Sequence, residues 1–241
     1  MPSGSTTKQR LWVLPWGLFP RRVTIYLKEK GIMNAFEVIP VEITAEGMAQ
    51  PPGKPAGSMH ILEVRRPSED GQNDGVFIFQ SIPILEYLED VYGPESGTPD
   101  MRGSTTEERA KVRDCLSVIS EATDTFGLYV HNASKILDGM EEQDRGAATV
   151  ALKRTHHLLS LLEKIADPNG PWLASAGEGP TIVDCVAMST IQFAREVYIV
   201  DLTEGHPRLR AFFDAFRARD SAGMEVVPEF MRELGPVLSV R

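Results

Sequence analysis

The chain has 241 residues, 42% hydrophobic and 24% charged, a composition typical of a globular protein with one large or two small domains. Its formal net charge of −9 argues against a nucleic-acid partner, because no excess of Lys and Arg is available to neutralise phosphates. Two cysteines, Cys115 and Cys185, provide neither a disulfide framework nor a metal-ligand set, which favours a reducing compartment.

The N-terminal segment predicts a flexible arm, a strand and a helix. Residues 1–9 are polar, and the apolar run RLWVLP at 10–15 predicts the first strand. Residues 20–30 predict a helix, because Pro20 suits its first position and Gly31 suits its end. The turn between strand and helix offers no side chain that could act as a nucleophile, an acid or a base.

The next elements complete a small mixed domain. Residues 35–43 predict a second strand, 60–66 and 75–80 predict a hairpin, and 81–92 predict a helix with Ser81 as N-cap. A crossover helix makes the first two strands parallel, and a short turn makes the last two antiparallel. The order β-α-β-β-β-α therefore predicts a thioredoxin-like domain over residues 10–93.

The second half of the chain predicts helices alone. Residues 94–104 have the composition of a linker, and long helical patterns follow at 105–137 and 143–167. Thr181 and Asp184 form a variant capping box before a helix that is apolar nearly all round, which indicates the middle of a helical bundle. We therefore expect an all-helical domain over 105–220 and an irregular tail over 221–241.

Five segments in this order resemble the glutathione S-transferase family. They are PRRVTIYLKEKGI, KPAGSMHILE, QSIPILEYLED, GPTIVDCVAM and HPRLRAFFDAFRARD. The resemblance spans roughly residues 10–220. The segment LPWGLFPRR is most similar to fungal members, some of them from secondary-metabolite pathways. The resemblance implies glutathione as cosubstrate, a cytoplasmic homodimer, and a role in detoxification or secondary metabolism.

The resemblance also implies a glutathione site in the N-terminal domain. Ser81 and Gln80 would hold the γ-glutamyl group, although Ser81 would serve equally as a plain helix cap. Lys54 would meet the glycyl carboxylate, with a solvated loop lysine as the alternative. Met59 would offer its backbone to the cysteinyl part, and His60 occupies the position of the family's cis-proline.

The position of the family's catalytic Ser or Cys falls on Gly17, and no tyrosine lies in the preceding strand. We hypothesise that the backbone of Gly17, Leu18 and Phe19 stabilises the glutathione thiolate at an uncapped helix end. Trp16 and Phe19 would then wall an apolar pocket. The alternative is that Gly17 is only a turn residue in a protein that has lost the activity.

Further residues are candidates for the second substrate. Arg21 and Arg22 lie in a first helical turn, where cations are unfavourable unless they meet an anion. One of them is expected near the pocket, with solvated surface as the alternative. Tyr129 and His131 could line the substrate pocket, although ordinary packing explains both. The histidines lack metal-ligand spacing, so no metal is expected.

The sequence thus predicts an enzyme that attacks a small hydrophobic electrophile with bound glutathione, by conjugation, ether cleavage or isomerisation. The alternative is a transferase-fold protein that binds glutathione or a partner with little catalysis. Thiol-disulfide reduction is disfavoured because residues 1–114 contain no cysteine. No segment has the length and hydropathy of a membrane span, so no membrane association is expected.

Overall fold

A computed structural model describes residues 8–44, 47–56, 61–65, 75–93, 96–174, 179–235 and 237. The chain divides into two compact units, Met1–Thr98 and Pro99–Arg241, and the division falls inside the segment predicted as a linker. No helix in the described ranges is both long and apolar enough to cross a membrane.

The N-terminal unit is built on a mixed sheet. In chain order its elements are β1 Gln9–Val13, α1 Leu18–Glu29, β2 Phe36–Pro40, β3 Ile43–Thr44, β4 Gly47–Met48, β5 Ile61–Val64, β6 Val76–Ile78 and α2 Ser81–Tyr92. The described strands form a four-stranded sheet in the order β2-β1-β5-β6. β1 and β2 run parallel and the other neighbours antiparallel, which confirms the predicted thioredoxin-like arrangement.

A small hairpin departs from the prediction. Residues 35–43 were expected to form one strand, but β2 ends at Pro40 and the chain turns into the separate β3–β4 pair. Pro40 lacks the N–H that a longer ladder needs, which favours the break. A buried cluster of Trp12, Val41 and Ile61 packs beside this segment.

Helix α1 begins two residues earlier than expected and ends as predicted. It starts at Leu18, so Pro20 is its third residue. Gly31 adopts a φ of 66°, a left-handed conformation that glycine reaches without steric cost. Its N–H donates to the Lys28 carbonyl at 3.1 Å and the Ile32 N–H donates to the Leu27 carbonyl at 3.1 Å. These two bonds are a Schellman motif, which stops the helix here.

Helix α2 corrects one assignment. Gln80 is the N-cap, with extended backbone angles, and Ser81 is the first helical residue. The Ile84 N–H donates to the Gln80 carbonyl at 3.0 Å, which fixes this frame. Serine is a favoured capping residue, but the chain enters the helix one residue before it, so the Ser81 hydroxyl serves another contact.

Helices form the regular structure of the C-terminal unit. They are α3 Thr106–Ala133, α4 Arg145–Ile165, α5 Ile182–Tyr198, α6 Pro207–Phe216 and α7 Glu229–Leu234, with short 3₁₀ turns between some of them. The chain at 221–241 was expected to be irregular, but α7 lies within it. Apolar Phe230 and Met231 occur among charged neighbours there, and Met231 is buried.

The capping box before α5 is present as predicted. Asp184 is fully buried and accepts hydrogen bonds from the N–H and Oγ1 of Thr181 and from the Leu173 N–H, each at 2.7 Å. Burial raises the pKa of this carboxyl to about 6, against the lowering effect of these bonds. Asp184 therefore has a structural role, as the sequence indicated.

The end of α5 has an unusual residue. Ile199 follows the helix with a φ of 59°, and it is the non-glycine residue with positive φ in the described chain. Its side chain is 69% exposed. A β-branched residue in the left-handed region is strained, so the backbone conformation at this helix end is energetically unfavourable.

Candidate functional site

The turn from β1 into α1 is set by Gly17. Its N–H donates to the Leu14 carbonyl at 2.9 Å, and its own carbonyl accepts from the Arg21 N–H at 3.1 Å. A Cβ added at Gly17 would lie 3.0 Å from Cδ2 and 3.1 Å from Cβ of Leu14. Leu14 is buried, so the packing of the turn leaves little room for a catalytic side chain at position 17.

This geometry corrects part of the thiolate hypothesis. The Gly17 N–H is engaged with Leu14, so it does not serve as a donor to a sulfur. As a glycine, the N-cap of α1 also has no side chain to bond the first-turn amides. The hypothesis is therefore reduced to its other two residues, Leu18 and Phe19, the first helical residues at the positive end of α1.

The two aromatic residues of the predicted pocket wall differ in exposure. Trp16 is 6% exposed and Phe19 is 38% exposed. Phe19 therefore offers an apolar ring at the surface of the N-terminal unit, whereas Trp16 contributes mainly to its core. The role of both residues toward a substrate stays a prediction.

Arg21 and Arg22 were predicted in the first helical turn, but α1 begins at Leu18, so they are its fourth and fifth residues. Both are buried, which rules out the alternative of a solvated surface. Arg21 is 2% exposed and Arg22 is 3% exposed. The Arg22 guanidinium lies over the Phe19 ring, 4.8 Å from its centroid, a cation–π geometry. Its Nη1 donates to Oγ of Ser81 at 3.4 Å. Arg22 thereby joins the N-terminal half of α1 to the first residue of α2.

The surroundings of Ser81 favour an anion. Ser81 is 3% exposed, and neither α1 nor α2 has an acidic residue in its first turn. The positive end of α2 and the buried guanidinium of Arg22, from the N-terminal half of α1, therefore lie beside one hydroxyl. Helix N-termini and arginine both stabilise carboxylates, so the arrangement is suited to a negatively charged ligand group.

Gln80 lies next to this hydroxyl, at the surface. Its side chain is exposed and does not cap α2. The amide can therefore face a ligand as a hydrogen-bonding group without charge. Its predicted contact with a γ-glutamyl group stays a prediction.

Lys54 is more enclosed than a solvated loop lysine. It is 9% exposed, and its Nζ donates to the Pro55 carbonyl at 3.3 Å. The Lys54 N–H closes a turn onto the Pro51 carbonyl at 3.1 Å. Met59 and His60, the other two residues predicted to bind glutathione, lie outside the described residues.

The residues predicted from the helical half have local partners. Tyr129 is 3% exposed, its ring lies 6.0 Å from that of Phe126, and burial raises the pKa of its phenol. His131 is exposed, and its Nδ1 lies 2.7 Å from Oε2 of Glu141. Both contacts are compatible with ordinary packing and surface pairing, and a role in substrate binding stays a prediction.

Both cysteines belong to the C-terminal unit and are free thiols. Cys115 and Cys185 are both buried, and burial raises the pKa of the Cys115 thiol to about 11, which disfavours its reactive thiolate. Within the described ranges, no three His, Cys, Asp or Glu side chains are grouped so as to hold a metal ion.

Sequence reasoning did not find the burial of Arg22, although a signal was present. Arg22, Tyr26 and Lys30 follow one another at i, i+4 and i+8, and all three are buried. A cation on the same helical stripe as a buried aromatic residue faces the interior. This spacing is therefore a sequence signal for the burial of the Arg22 charge.

Comparison with known proteins identifies the fold. Residues 119–220 match the model of the glutathione S-transferase C-terminal domain. Gtt2 from Saccharomyces cerevisiae is 20% identical with a TM-score of 0.66, covering 88% of this chain and 98% of its own. A glutathione S-transferase from Methylobacterium radiotolerans, solved in complex with glutathione sulfonate, is 17% identical with a TM-score of 0.66, covering 97% of each chain.

A third solved structure has the same fold. Maleylacetoacetate isomerase from Anaeromyxobacter dehalogenans, with dicarboxyethyl glutathione and citrate bound in its active site, is 23% identical with a TM-score of 0.63, covering 89% of each chain. The search of curated protein sequences gives no significant match. At these identities the solved structures establish the fold, and the match at 119–220 supports the same family.

Proposed function

We propose that this chain, which has the glutathione S-transferase fold and a helical half that matches the family's C-terminal domain, is a glutathione-dependent transferase. The bound glutathione sulfur would attack a small hydrophobic electrophile. A C–S bond forms, and in a conjugation by substitution the leaving group departs with its electron pair. Addition-elimination, ether cleavage and isomerisation begin with the same attack.

The contact between Arg22 and Ser81 is the observation that carries this proposal. Glutathione brings two carboxylates and, once ionised, a thiolate. A buried guanidinium 3.4 Å from a buried hydroxyl, at the positive end of α2, supports the binding of such an anion. In this assignment Arg22 and Ser81 hold the γ-glutamyl carboxylate, with Gln80 beside it.

The remaining contacts follow the same electrostatic reasoning. Lys54 would receive the glycyl carboxylate, and the backbone of Met59 and the neighbouring His60 would border the cysteinyl part. The thiolate would lie at the start of α1, against Leu18 and Phe19. The helix dipole and the nearby Arg22 charge both lower the pKa of a thiol placed there.

The residues of the electrophile pocket are assigned more coarsely. Trp16, Phe19 and Arg21 surround the start of α1 in the N-terminal unit, and Tyr129 and His131 belong to α3 and its end. We propose Trp16, Phe19 and Arg21 as the part of the second-substrate site that the N-terminal unit supplies, and the roles of Tyr129 and His131 in substrate binding stay predictions. An apolar ring such as that of Phe19 suits a hydrophobic or aromatic electrophile.

The test combines binding and turnover. Retention on immobilised glutathione measures binding, and formation of a thioether from an activated chlorodinitrobenzene measures transfer. The proposal expects both activities in the wild type and in a Lys28→Gln control, since Lys28 is exposed near the far end of α1. It expects weak retention for Arg22→Gln. A wild-type protein that does not bind glutathione would overturn the proposal.

A glutathione-binding protein with little catalysis is the second candidate. The packing of Gly17 against Leu14 favours it, because a Cβ at position 17 would press on the Leu14 side chain and leave little room for a hydroxyl or thiol that would activate glutathione. Retention on glutathione without thioether formation would support this candidate. Retention on glutathione together with thioether formation would support the first candidate.

The assembly and cellular role complete the proposal. The family resemblance supports a homodimer in the cytoplasm, acting in detoxification or secondary metabolism. Sedimentation equilibrium measures directly whether the protein is a homodimer. A monomer at micromolar concentration would exclude the homodimer and leave the transferase proposal standing.

A further inference from the structure

Two histidines connect α4 to the beginning of α6. Nδ1 of His156 lies 3.1 Å from Nε2 of His206, and the two rings are stacked at 14° with centroids 5.4 Å apart. His206 is 5% exposed and is the N-cap of α6. We propose that this pair is a pH-dependent latch of the helical unit, closed at neutral pH and weakened when both imidazoles are protonated.

Glu163 of α4 extends the contact to the backbone of α6. Its Oε1 accepts from the Arg208 N–H at 2.6 Å and from the Leu209 N–H at 3.3 Å, so it caps a helix whose own N-cap side chain does not. Its Oε2 lies 3.8 Å from Nδ1 of His206. His206 therefore lies between the Glu163 carboxylate and the His156 ring.

Counting protons on the facing nitrogens shows why the latch has two states. A hydrogen bond between two imidazoles needs one N–H and one lone pair. The neutral pair meets this condition, and so does the pair with one added proton. A second added proton removes the only acceptor and places two positive rings in contact, so the hydrogen bond is lost and repulsion replaces it.

Charged groups near the pair come from α4, from the loop before α6 and from α6 itself. On α4, the exposed Lys153 and His157 are neighbours of His156, and Lys153 and His156 line one surface cavity together. In the loop before α6, Glu204 acts on His156, and Asp201 is paired with Arg210. The Arg208 guanidinium donates to the carbonyls of Asp167 and Trp172, at 2.8 Å and 2.6 Å through Nη2.

The pKa of His156 is lowered, first by burial and then by His206, while Glu204 opposes the shift. The unfolded chain has an ordinary histidine pKa near 6.5, so it takes up the proton first as the pH falls. The latch therefore contributes stability that is fully present above this value. That contribution is lost as the pH falls through 6.5 toward the lower folded pKa.

The titration of Asp184 changes the stability of the same unit with pH in the opposite direction, so the test must compare variants. Its folded pKa of about 6 lies above the ordinary carboxyl value, and the folded state gains stability as the pH falls below about 6. A single pH profile of the wild type mixes both effects. The difference between the wild type and a histidine variant isolates the latch.

The experiment measures denaturant unfolding at pH 7.5 and 5.5 for the wild type, His156→Asn and the control His157→Asn. Asparagine can replace the Nδ1 contact without titrating, and His157 is exposed on the same helix. We expect the unfolding constant to rise several-fold more between the two pH values in the wild type and in His157→Asn than in His156→Asn. Equal pH dependence in all three proteins would overturn the latch.

A titration of the wild-type imidazoles by NMR gives a second readout, which decides the question if His156→Asn does not fold. The latch predicts that the half-buried His156 ring titrates below the ordinary histidine range. It also predicts faster hydrogen exchange at the Arg208 and Leu209 amides at pH 5.5, after correction for the intrinsic rate. Independent titration of both rings at ordinary values, with unchanged amide protection, would refute it.

Discussion

Nη1 of Arg22 lies 3.4 Å from Oγ of Ser81, across 59 positions of sequence, and both side chains are buried. The contact joins the fifth residue of α1 to the first residue of α2. A guanidinium at a positive helix end is electrostatically unfavourable on its own, because the dipole and the charge have the same sign. A bound anion at this place would be stabilised by the guanidinium and by the helix end together, which is the basis of the proposed glutathione site.

Removing the Arg22 charge should weaken glutathione binding. A hydrogen bond to a charged group contributes about 1.5 to 3 kcal/mol, so Arg22→Gln should raise the Kd by roughly tenfold to a hundredfold. Isothermal titration calorimetry measures this change. Lys28→Gln, which removes an exposed cation from the same helix, should leave the Kd within about twofold. Equal affinities for the two variants would argue against a ligand role for Arg22.

A side chain at Gly17 should be coupled energetically to Leu14. Gly17→Ala places a Cβ at 3.0 Å from Leu14 Cδ2, and such overpacking costs about 1 to 3 kcal/mol. In a Leu14→Ala background the clash is relieved, so the added cost of Gly17→Ala should fall below about 0.5 kcal/mol. Urea unfolding of the four proteins in the cycle measures the coupling.

Gly127 supplies the control for this cycle. It lies inside α3, and a Cβ there would meet no heavy atom within 4 Å. Gly127→Ala should therefore stabilise the protein by about 0.5 to 1 kcal/mol through helix propensity. Strictly additive effects of Gly17→Ala and Leu14→Ala would contradict the packing account of the turn.

Removing one partner of the ion pair between Lys30 and Glu89 should destabilise the fold strongly, whereas replacing both partners by apolar residues should destabilise it little. Nζ lies 2.9 Å from Oε1, and the two side chains are 1% and 0% exposed. Lys30→Met removes the cation beside a buried carboxylate and should lower the free energy of unfolding by about 3 to 5 kcal/mol. The double variant Lys30→Met/Glu89→Leu should recover most of that loss. A double variant as unstable as the single one would show that the pair itself is required.

Relieving the strain at Ile199 should stabilise the helical unit. Its left-handed conformation costs roughly 1 to 2 kcal/mol for a non-glycine residue, and its exposed side chain offers little packing in return. Ile199→Gly should raise the free energy of unfolding by about 0.5 to 1 kcal/mol, whereas Ile199→Val, still β-branched, should not. A loss of stability in Ile199→Gly would mean that the isoleucine side chain makes a contact of its own.

The elements with strong local signals were predictable from sequence. The parallel β1–β2 pair follows from a helix between two strands, and Gly31 and the Thr181–Asp184 pair indicated helix ends that the structure has. These features depend on residues close together in the chain. Helix starts were less accurate, since α1 begins before Pro20 and α2 has Gln80 as N-cap, because neighbouring residues compete to cap a helix.

The candidate site depended on contacts that no local pattern fixes. The sequence indicated Ser81 and an uncapped α1, but the burial of Arg22 and its contact with Ser81 require α1 and α2 to pack side by side. The engagement of the Gly17 amide with Leu14 is likewise a property of the folded turn. The fold of the turn therefore narrows the thiolate hypothesis from Gly17, Leu18 and Phe19 to the last two, and the packing of α1 against α2 adds Arg22 to the proposal.

The ionisation of bound glutathione tests the central proposal most directly. Thiolate absorbance, followed against pH in the saturated complex, gives the pKa of the bound thiol. We predict a value at least about one unit below the ordinary thiol pKa of about 8.5, returning toward it in Arg22→Gln at saturating ligand. A bound thiol with an unshifted pKa in the wild type would contradict activation by the α1 end and Arg22.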